Sequence, residues 1–395
     1  MQHLRALPDP DLIVKAVRAA TGRAEGDISL HEPFITGNEW AYVKECLDTG
    51  WVSSVGKYVD VFEKRLEEIT GVKRAFAVVN GTSALHIALK MAGVRPGDEV
   101  LLPDLTFVAT ANAVTYCGAT PHFVDSEPRT LGVDAPKLDK YLSGIAVRQR
   151  EATVNRRSGR PIRALIAMHT FGHPVDLDAV LEICRKHGIE LIEDAAEALG
   201  SLYKDRSVGH HGKFAVLSFN GNKIVSTGGG GAILTDDEEL AREAKHIATT
   251  AKLPHAWEFN HDRIGYNYRM PNLNAAMGVA QLERLGEFVA RKRSLADAYA
   301  RLLADVPGVK FFREPENTRS NYWLNALLLD RSDAPGRDEL LAHLNRSGIK
   351  ARPAWTLMHN LAMFADCPRS DVSAAEDLQS RLINLPSSAF LGPNT

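Results

Sequence analysis

Between residues 73 and 235 the chain alternates short, uniformly apolar runs with stretches of helical periodicity, and this alternation narrows the fold more than any other feature. The runs are AFAVV at 75–79, EVLLP at 99–103, ATPHFVD at 119–125, ALIAMH at 164–169, IELIEDAA at 189–196, AVLSFN at 215–220 and GAILT at 231–235. Strands that are apolar on both sides belong to a mostly parallel sheet covered by helices on both faces. The intervening helices follow from 3.6-residue spacing. In ALHIALKMAG, Leu85, Ala88, Leu89 and Ala92 share one side and Gly93 closes the turn, and further helices are predicted over 107–116 and 177–187.

After this region the pattern changes. The segment from Asn272 to about Leu303 reads as helical throughout, followed by a strand in NYWLNALLL, a helix over 338–346 and a last helix over 374–382. The expected organisation is a short amphipathic arm (1–30), a large α/β domain (31–271), and a helical connection with a small α+β domain (272–395). A chain of 395 residues has room for two such cores. No internal repeat or flexible linker separates them.

Composition excludes several classes. With 47 Lys+Arg against 49 Asp+Glu there is no basic excess for nucleic acid, so none is expected as a partner. No apolar run approaches the ~18–20 residues of a membrane-spanning helix, and Asp9, Pro10 and Asp11 interrupt any signal-like stretch at the start, so a cytoplasmic protein is expected. Cys46, Cys117, Cys184 and Cys367 are scattered without a C-x-x-C pair, which predicts reduced thiols and no metal site.

Three places carry chemistry. In SFNGNKIVSTGGGGAIL, Lys223 follows Ser218 by five residues, after one strand and before a glycine run that leads into another. This is not the strand–turn–helix order of a dinucleotide fingerprint, and no phosphate loop of the G-x-x-x-x-G-K-[ST] type occurs. In LIEDAAEALGS an apolar strand ends in Glu193 and Asp194, where α/β sheets place ligand groups. In VVNGTSALHIAL, Thr82 and Ser83 open a helix whose N-terminal N–H groups suit a phosphate. Each has an ordinary reading: a solvated lysine, a helix-capping acid, an N-cap hydroxyl. Together they fit the needs of one cofactor. Pyridoxal phosphate (PLP) needs a lysine for its Schiff base, a carboxylate for its pyridine nitrogen and a phosphate grip.

These motifs, with GWVSSVGKYVDVFE, GDEVLLPDLTFVATANAV, MHTFGHPVDLD and IGYNYRMPNLNAAMGVAQL in the same order, resemble the DegT/DnrJ/EryC1/StrS sugar aminotransferases, over residues 31–388. The resemblance implies the PLP-dependent transferase fold of type I, like aspartate aminotransferase. It implies that Lys223 carries the cofactor and that Asp194 faces the pyridine nitrogen. Thr82, Ser83 and Ser218 would hold the phosphate and Phe107 would stack on the ring. Glu197 would approach the 3-hydroxyl, at a position where many members carry Gln or His. Asn267 would reach the partner subunit's phosphate in a homodimer with shared active sites. Relatives that dehydrate sugars carry His in place of Lys223, so lysine here points to amino transfer.

The resemblance further implies L-glutamate as donor and a nucleotide sugar as acceptor. The motif wording is most similar to enzymes that aminate C4 of a UDP-linked 4-keto-6-deoxy-N-acetylhexosamine, of legionaminic acid or bacillosamine type. GDP-perosamine synthases share much of the same text, and a catalytically silent PLP-binding regulator is a further alternative. Trp51, Ser53, Ser54, His169 and Arg269 are candidate sugar or diphosphate contacts.

Overall fold

The computed structural model describes residues 8–149, 152–330 and 334–392. Its centre is a mixed sheet whose main path runs, edge to edge, Arg74–Val78, Gly231–Thr235, Phe214–Ser218, Glu190–Asp194, Pro161–Met168, Glu99–Pro103 and Thr120–Val124. From Phe214–Ser218 to the last of these every pairing is parallel, while Gly231–Thr235 runs antiparallel to both its neighbours. Two short strands, Ala146–Arg148 and Thr153–Asn155, add a hairpin beside Pro161–Met168. All seven apolar runs predicted from the sequence are strands of this sheet. They are buried because helices cover both faces: Gly81–Met91 and Val108–Tyr116 lie in one apolar cluster, Lys57–Thr70, Ala135–Ile145 and Leu177–His187 in the other.

The predicted continuous helix after Asn272 is two helices, Asn272–Glu283 and Leu285–Leu302, which meet at Arg284, where φ is −110°. Beyond them a four-stranded antiparallel sheet has the order Val309–Phe311, Asn325–Leu329, Leu382–Leu385 and Arg352–Pro353. The helices Ala334–Arg346 and Ser373–Arg381 pack beside it. The strand read in NYWLNALLL begins only at Asn325, and the segment before it brings Trp323 to the site described below.

The amino-terminal segment is woven into this second unit. Asp9 caps the helix Pro10–Thr21, whose Ile13, Val17 and Ala20 share one apolar cluster with Leu295, Tyr299, Leu327 and Ile383. Backbone bonds then fasten Ile28 to Gly348, Leu30 to Ser387 and Thr21 to Gly392. Among the described residues no helix is long and apolar enough to cross a membrane.

Candidate active site

A cavity of about 380 Å³ opens at the carboxyl ends of the parallel strands, bounded by Asn80, Thr82, Phe107, Asp194, Glu197 and Lys223 together with Trp323 and Trp355. This is where an open α/β sheet places its ligand. One wall is the start of the helix Gly81–Met91. Asn80 caps that helix by accepting the Ser83 N–H at 2.8 Å, a bond worth about 1 kcal/mol to the helix. The first N–H groups of a helix lack partners within it, and Gly81 and Thr82 both line the cavity. Ser218 lies on the same wall. Gly231 makes the approach possible, since a Cβ there would come within 2.4 Å of the Asn80 carbonyl carbon.

The floor is Asp194, the last residue of its strand. Its side chain accepts the Thr110 hydroxyl at 2.7 Å and the Ala196 N–H at 3.2 Å. Burial pushes its carboxyl up from the ordinary aspartate range, and those two bonds counter part of the rise. It takes part in no ion pair among the described residues. A buried carboxylate held by two donors and open to a cavity suits a cationic ring N–H, which is what the pyridine of PLP presents. Glu193, its neighbour, points the other way, because successive residues of a strand face opposite sides. It is fully buried and accepts the backbone N–H groups of Gly209 (2.9 Å), His211 (2.7 Å) and Gly212 (2.9 Å).

Lys223 enters from the loop between two strands. Its Nζ lies 3.2 Å from Glu197 Oε1 and 3.9 Å from the centre of the Trp323 ring system, with only 11% of the side chain exposed. The other Glu197 oxygen accepts the Phe171 N–H at 2.9 Å. Phe171 sits at φ 56°, in the left-handed region that costs a non-glycine residue energy, so this contact is held by the surrounding fold. Burial raises the Glu197 carboxyl to about 7, with Lys223 acting in the opposite direction.

Trp323 and Trp355, neither of which carried a local sequence signal, close the cavity from the second unit. The Trp323 indole N–H donates to the Asn222 carbonyl at 2.7 Å, and the Trp323 carbonyl accepts from Lys292 Nζ at 3.1 Å. Lys292 is fully buried, also donates to the Ser387 carbonyl, and burial holds its pKa well below the ordinary lysine range. The Trp355 ring lies 6.2 Å from Phe107 and 4.9 Å from Phe171. A bond from His359 Nδ1 to the buried carboxylate of Asp104, at 2.5 Å, fastens the segment that follows Trp355.

Thr82, Phe107, Asp194, Glu197, Ser218 and Lys223 are thus brought together as the sequence suggests. Other candidates are not. His169 does not face the cavity: it is fully buried, its Nε2 3.3 Å from Glu193 and its Nδ1 accepting the Val175 N–H, while the preceding Met168 takes the cavity side. Ser83 is absent from the wall, its N–H being spent on Asn80. Trp51 lies 57% exposed on a separate depression, and its carbonyl and that of Ser53 are held by Asn272. Ser54 and Arg269 line another depression, and Asn267 is exposed, outside the cavity of its own chain. Thr110, Asn80, Asn220, Asn222, Trp323 and Trp355 were not anticipated.

Residues 33–395 match the DegT/DnrJ/EryC1/StrS aminotransferase family. The chain belongs to that family. It is 39% identical over 365 residues to a GDP-perosamine synthase of Caulobacter vibrioides, a match covering 92% of this chain and 94% of the relative. A GDP-perosamine synthase of Escherichia coli O157:H7 is 37% identical over 360 residues, covering 91% and 93%. Among solved structures, PseC of Helicobacter pylori, an aminotransferase involved in the biosynthesis of pseudoaminic acid, superposes with a TM-score of 0.83 at 25% identity over 93% of this chain and 94% of its own. The protein is therefore a sugar aminotransferase of the type I fold with PLP as cofactor. The family assignment thereby confirms the expected fold, chemistry and cofactor.

Proposed function

We propose that this enzyme moves the amino group of L-glutamate to C4 of a nucleotide-linked 4-keto-6-deoxyhexose, in the making of an amino sugar for a surface glycan. The observation that carries the reading is the convergence on one cavity of the Lys223 amine, the buried Asp194 carboxylate and the open helix start at Gly81 and Thr82. Bound PLP supplies a carbonyl that accepts the amino group and a ring that withdraws electrons from the reacting carbon. Asp194 would hold the proton of the ring nitrogen. Thr82, Ser218 and the helix N-terminus would take the phosphate, and Phe107 would lie against the ring. Among the described residues Lys223 is the only lysine on the wall, so its Nζ carries protons to and from the donor α-carbon. Phe107, Trp323 and Trp355 give the cavity an aromatic lining.

Two acceptors compete. The motif resemblance supports a UDP-linked sugar bearing a 2-acetamido group, whereas relatives named GDP-perosamine synthase, at 35–39% identity, support a GDP-linked sugar. Purified protein given glutamate and either UDP-4-keto-6-deoxy-N-acetylglucosamine or GDP-4-keto-6-deoxymannose separates them, with the product followed by mass spectrometry and proton NMR. The faster acceptor names the substrate. An amine at a carbon other than C4, or inertness toward both, refutes the reading.

The proposed assembly is a homodimer with shared sites. Trp257, Phe259 and Ile264 are 78%, 76% and 87% exposed, an apolar display that a monomer rarely leaves uncovered. Asn267 follows them in sequence and is free to reach a neighbouring subunit's phosphate. The four cysteines, all unpaired, fit a cytoplasmic setting.

A further inference from the structure

Two tryptophans of the second unit border the cavity, and they differ in the state of their indole N–H groups. That of Trp323, a residue only 4% exposed, is taken up by the Asn222 carbonyl at 2.7 Å. Trp355 is half-buried, and its N–H meets no acceptor among the described residues; nor is it one of the enclosed polar atoms left without a partner. The group is open to a ligand. The ring itself is firmly placed. It packs at 4.9 Å on the fully buried Phe171. The segment after it is fastened just past the strand Glu99–Pro103, by the Met358 N–H on the Asp104 carbonyl (3.2 Å) and by the His359–Asp104 bond.

A tryptophan held in place with its donor unused offers a face to apolar C–H surface and a directional N–H to an oxygen. A pyranose ring presents both. The rest of the wall separates the two substrates. In the reading above, Asp194, Thr82 and Ser218 serve the cofactor and Lys223 carries it. No arginine, histidine or second lysine borders the cavity among the described residues, so that wall offers the two carboxylates of glutamate no further cation. The rings next to Trp355, Phe107 at 6.2 Å and Phe171, are uncharged and suit a neutral sugar. We propose that Trp355 recognises the acceptor: the pyranose of the keto sugar lies along its ring, and one of the sugar's oxygens accepts its N–H. The inference rests on the aminotransferase reading and adds to it a residue that serves the sugar and not the amino-acid donor.

The test compares wild type, Trp355→Phe and Trp355→Leu, using whichever of the two 4-keto sugar nucleotides named above the wild type aminates faster. In PLP-loaded protein without glutamate, where no turnover occurs, the five tryptophans are labelled with 15N at the indole nitrogen. The Trp355 signal, known by its absence from Trp355→Phe, should move when the sugar nucleotide is added. In turnover, half-saturation by the keto sugar should rise on the order of 10-fold in Trp355→Phe, which loses one hydrogen bond. In Trp355→Leu, which loses the ring face as well, it should rise on the order of 10²-fold. The rate at which glutamate alone bleaches the absorbance of bound PLP should stay at the wild-type value in both variants, which also shows that they fold. The inference is overturned if the Trp355 signal stays still at sugar concentrations that saturate turnover, if Trp355→Phe keeps the wild-type half-saturation, or if the glutamate step slows as much as the sugar step. A wild type that is bleached by glutamate but aminates neither sugar overturns the acceptor reading and this inference with it, whereas an active wild type with an unchanged Phe variant overturns this inference alone.

Discussion

The Trp323 indole lies over the Nζ of Lys223 at 3.9 Å, and its own N–H is tied to the carbonyl of Asn222, the residue just before that lysine. One side chain from the second unit thus holds both the tip and the backbone approach of the catalytic lysine.

Removing that hold is expected to speed loading of the cofactor, because the contact favours the charged lysine whereas the neutral amine attacks the cofactor's carbonyl. A cation–π contact away from water is worth about 2 kcal/mol, so Trp323→Leu should raise the rate at which apo-protein develops the absorbance of bound PLP by up to roughly 30-fold. Trp323→Phe keeps a π face but loses the bond to Asn222, and should fall between. Equal rates in all three proteins would show that the contact is incidental.

Lys223→Ala should abolish amination of the keto sugar and leave no borohydride-stable cofactor on the protein. Asp194→Asn should fold and bind PLP but lose on the order of 10²- to 10³-fold in kcat, as when one charge-stabilising group of a site is removed. Unchanged turnover in Asp194→Asn would place that carboxylate away from the ring nitrogen.

Glu193 is expected to matter for stability in acid. Burial works to raise its pKa, but hydrogen bonds involving His169 and His211 outweigh it and hold the carboxyl well below the ordinary glutamate range. A depressed folded-state value means that the unfolded chain binds the proton more readily. The stabilisation is therefore complete above the ordinary glutamate value of 4.5 and is lost as pH falls below it. Glu193→Gln should cost roughly 1–3 kcal/mol at neutral pH and flatten the acid limb, as read from urea midpoints.

Lys292 predicts the opposite limb. Burial lowers its folded-state pKa below 10.5, so the unfolded chain holds the extra proton and wild-type stability should climb with pH until that ordinary value is reached. In Lys292→Met the climb should disappear. The urea midpoints of the two proteins, compared at successive alkaline values, would refute this by rising in parallel.

Much of this was legible because the informative residues sit at strand ends. Asp194 and Lys223 each lie at or just beyond the end of an apolar run, and Thr82 opens the next helix, so local pattern places all three on one rim. His169 was misassigned by one step of the strand alternation, which gives the cavity to Met168 and the interior to His169. Trp323 and Trp355 were invisible for another reason. They reach the cavity from a separate sheet, steered by Lys292 and by the Asp104–His359 bond, and such long-range pairings leave no trace in local spacing. The broken helix at Arg284 likewise keeps helical periodicity on both sides of its kink.

The weaving of the amino-terminal helix into the second unit sets an order of assembly. On the ribosome every strand of the central sheet is synthesised before residue 236, so that layer can close while the chain is still growing. The helix Pro10–Thr21 is made before that sheet, yet its apolar partners Leu295, Tyr299 and Ile383 and its fastening at Gly392 come after it. It must wait uncovered through most of translation. Since Lys292 and Trp323 lie beyond the central sheet in sequence, the lysine of a half-built chain has its carboxylates but not its two tryptophans, and competence arrives only when the second unit has closed on the amino-terminal helix.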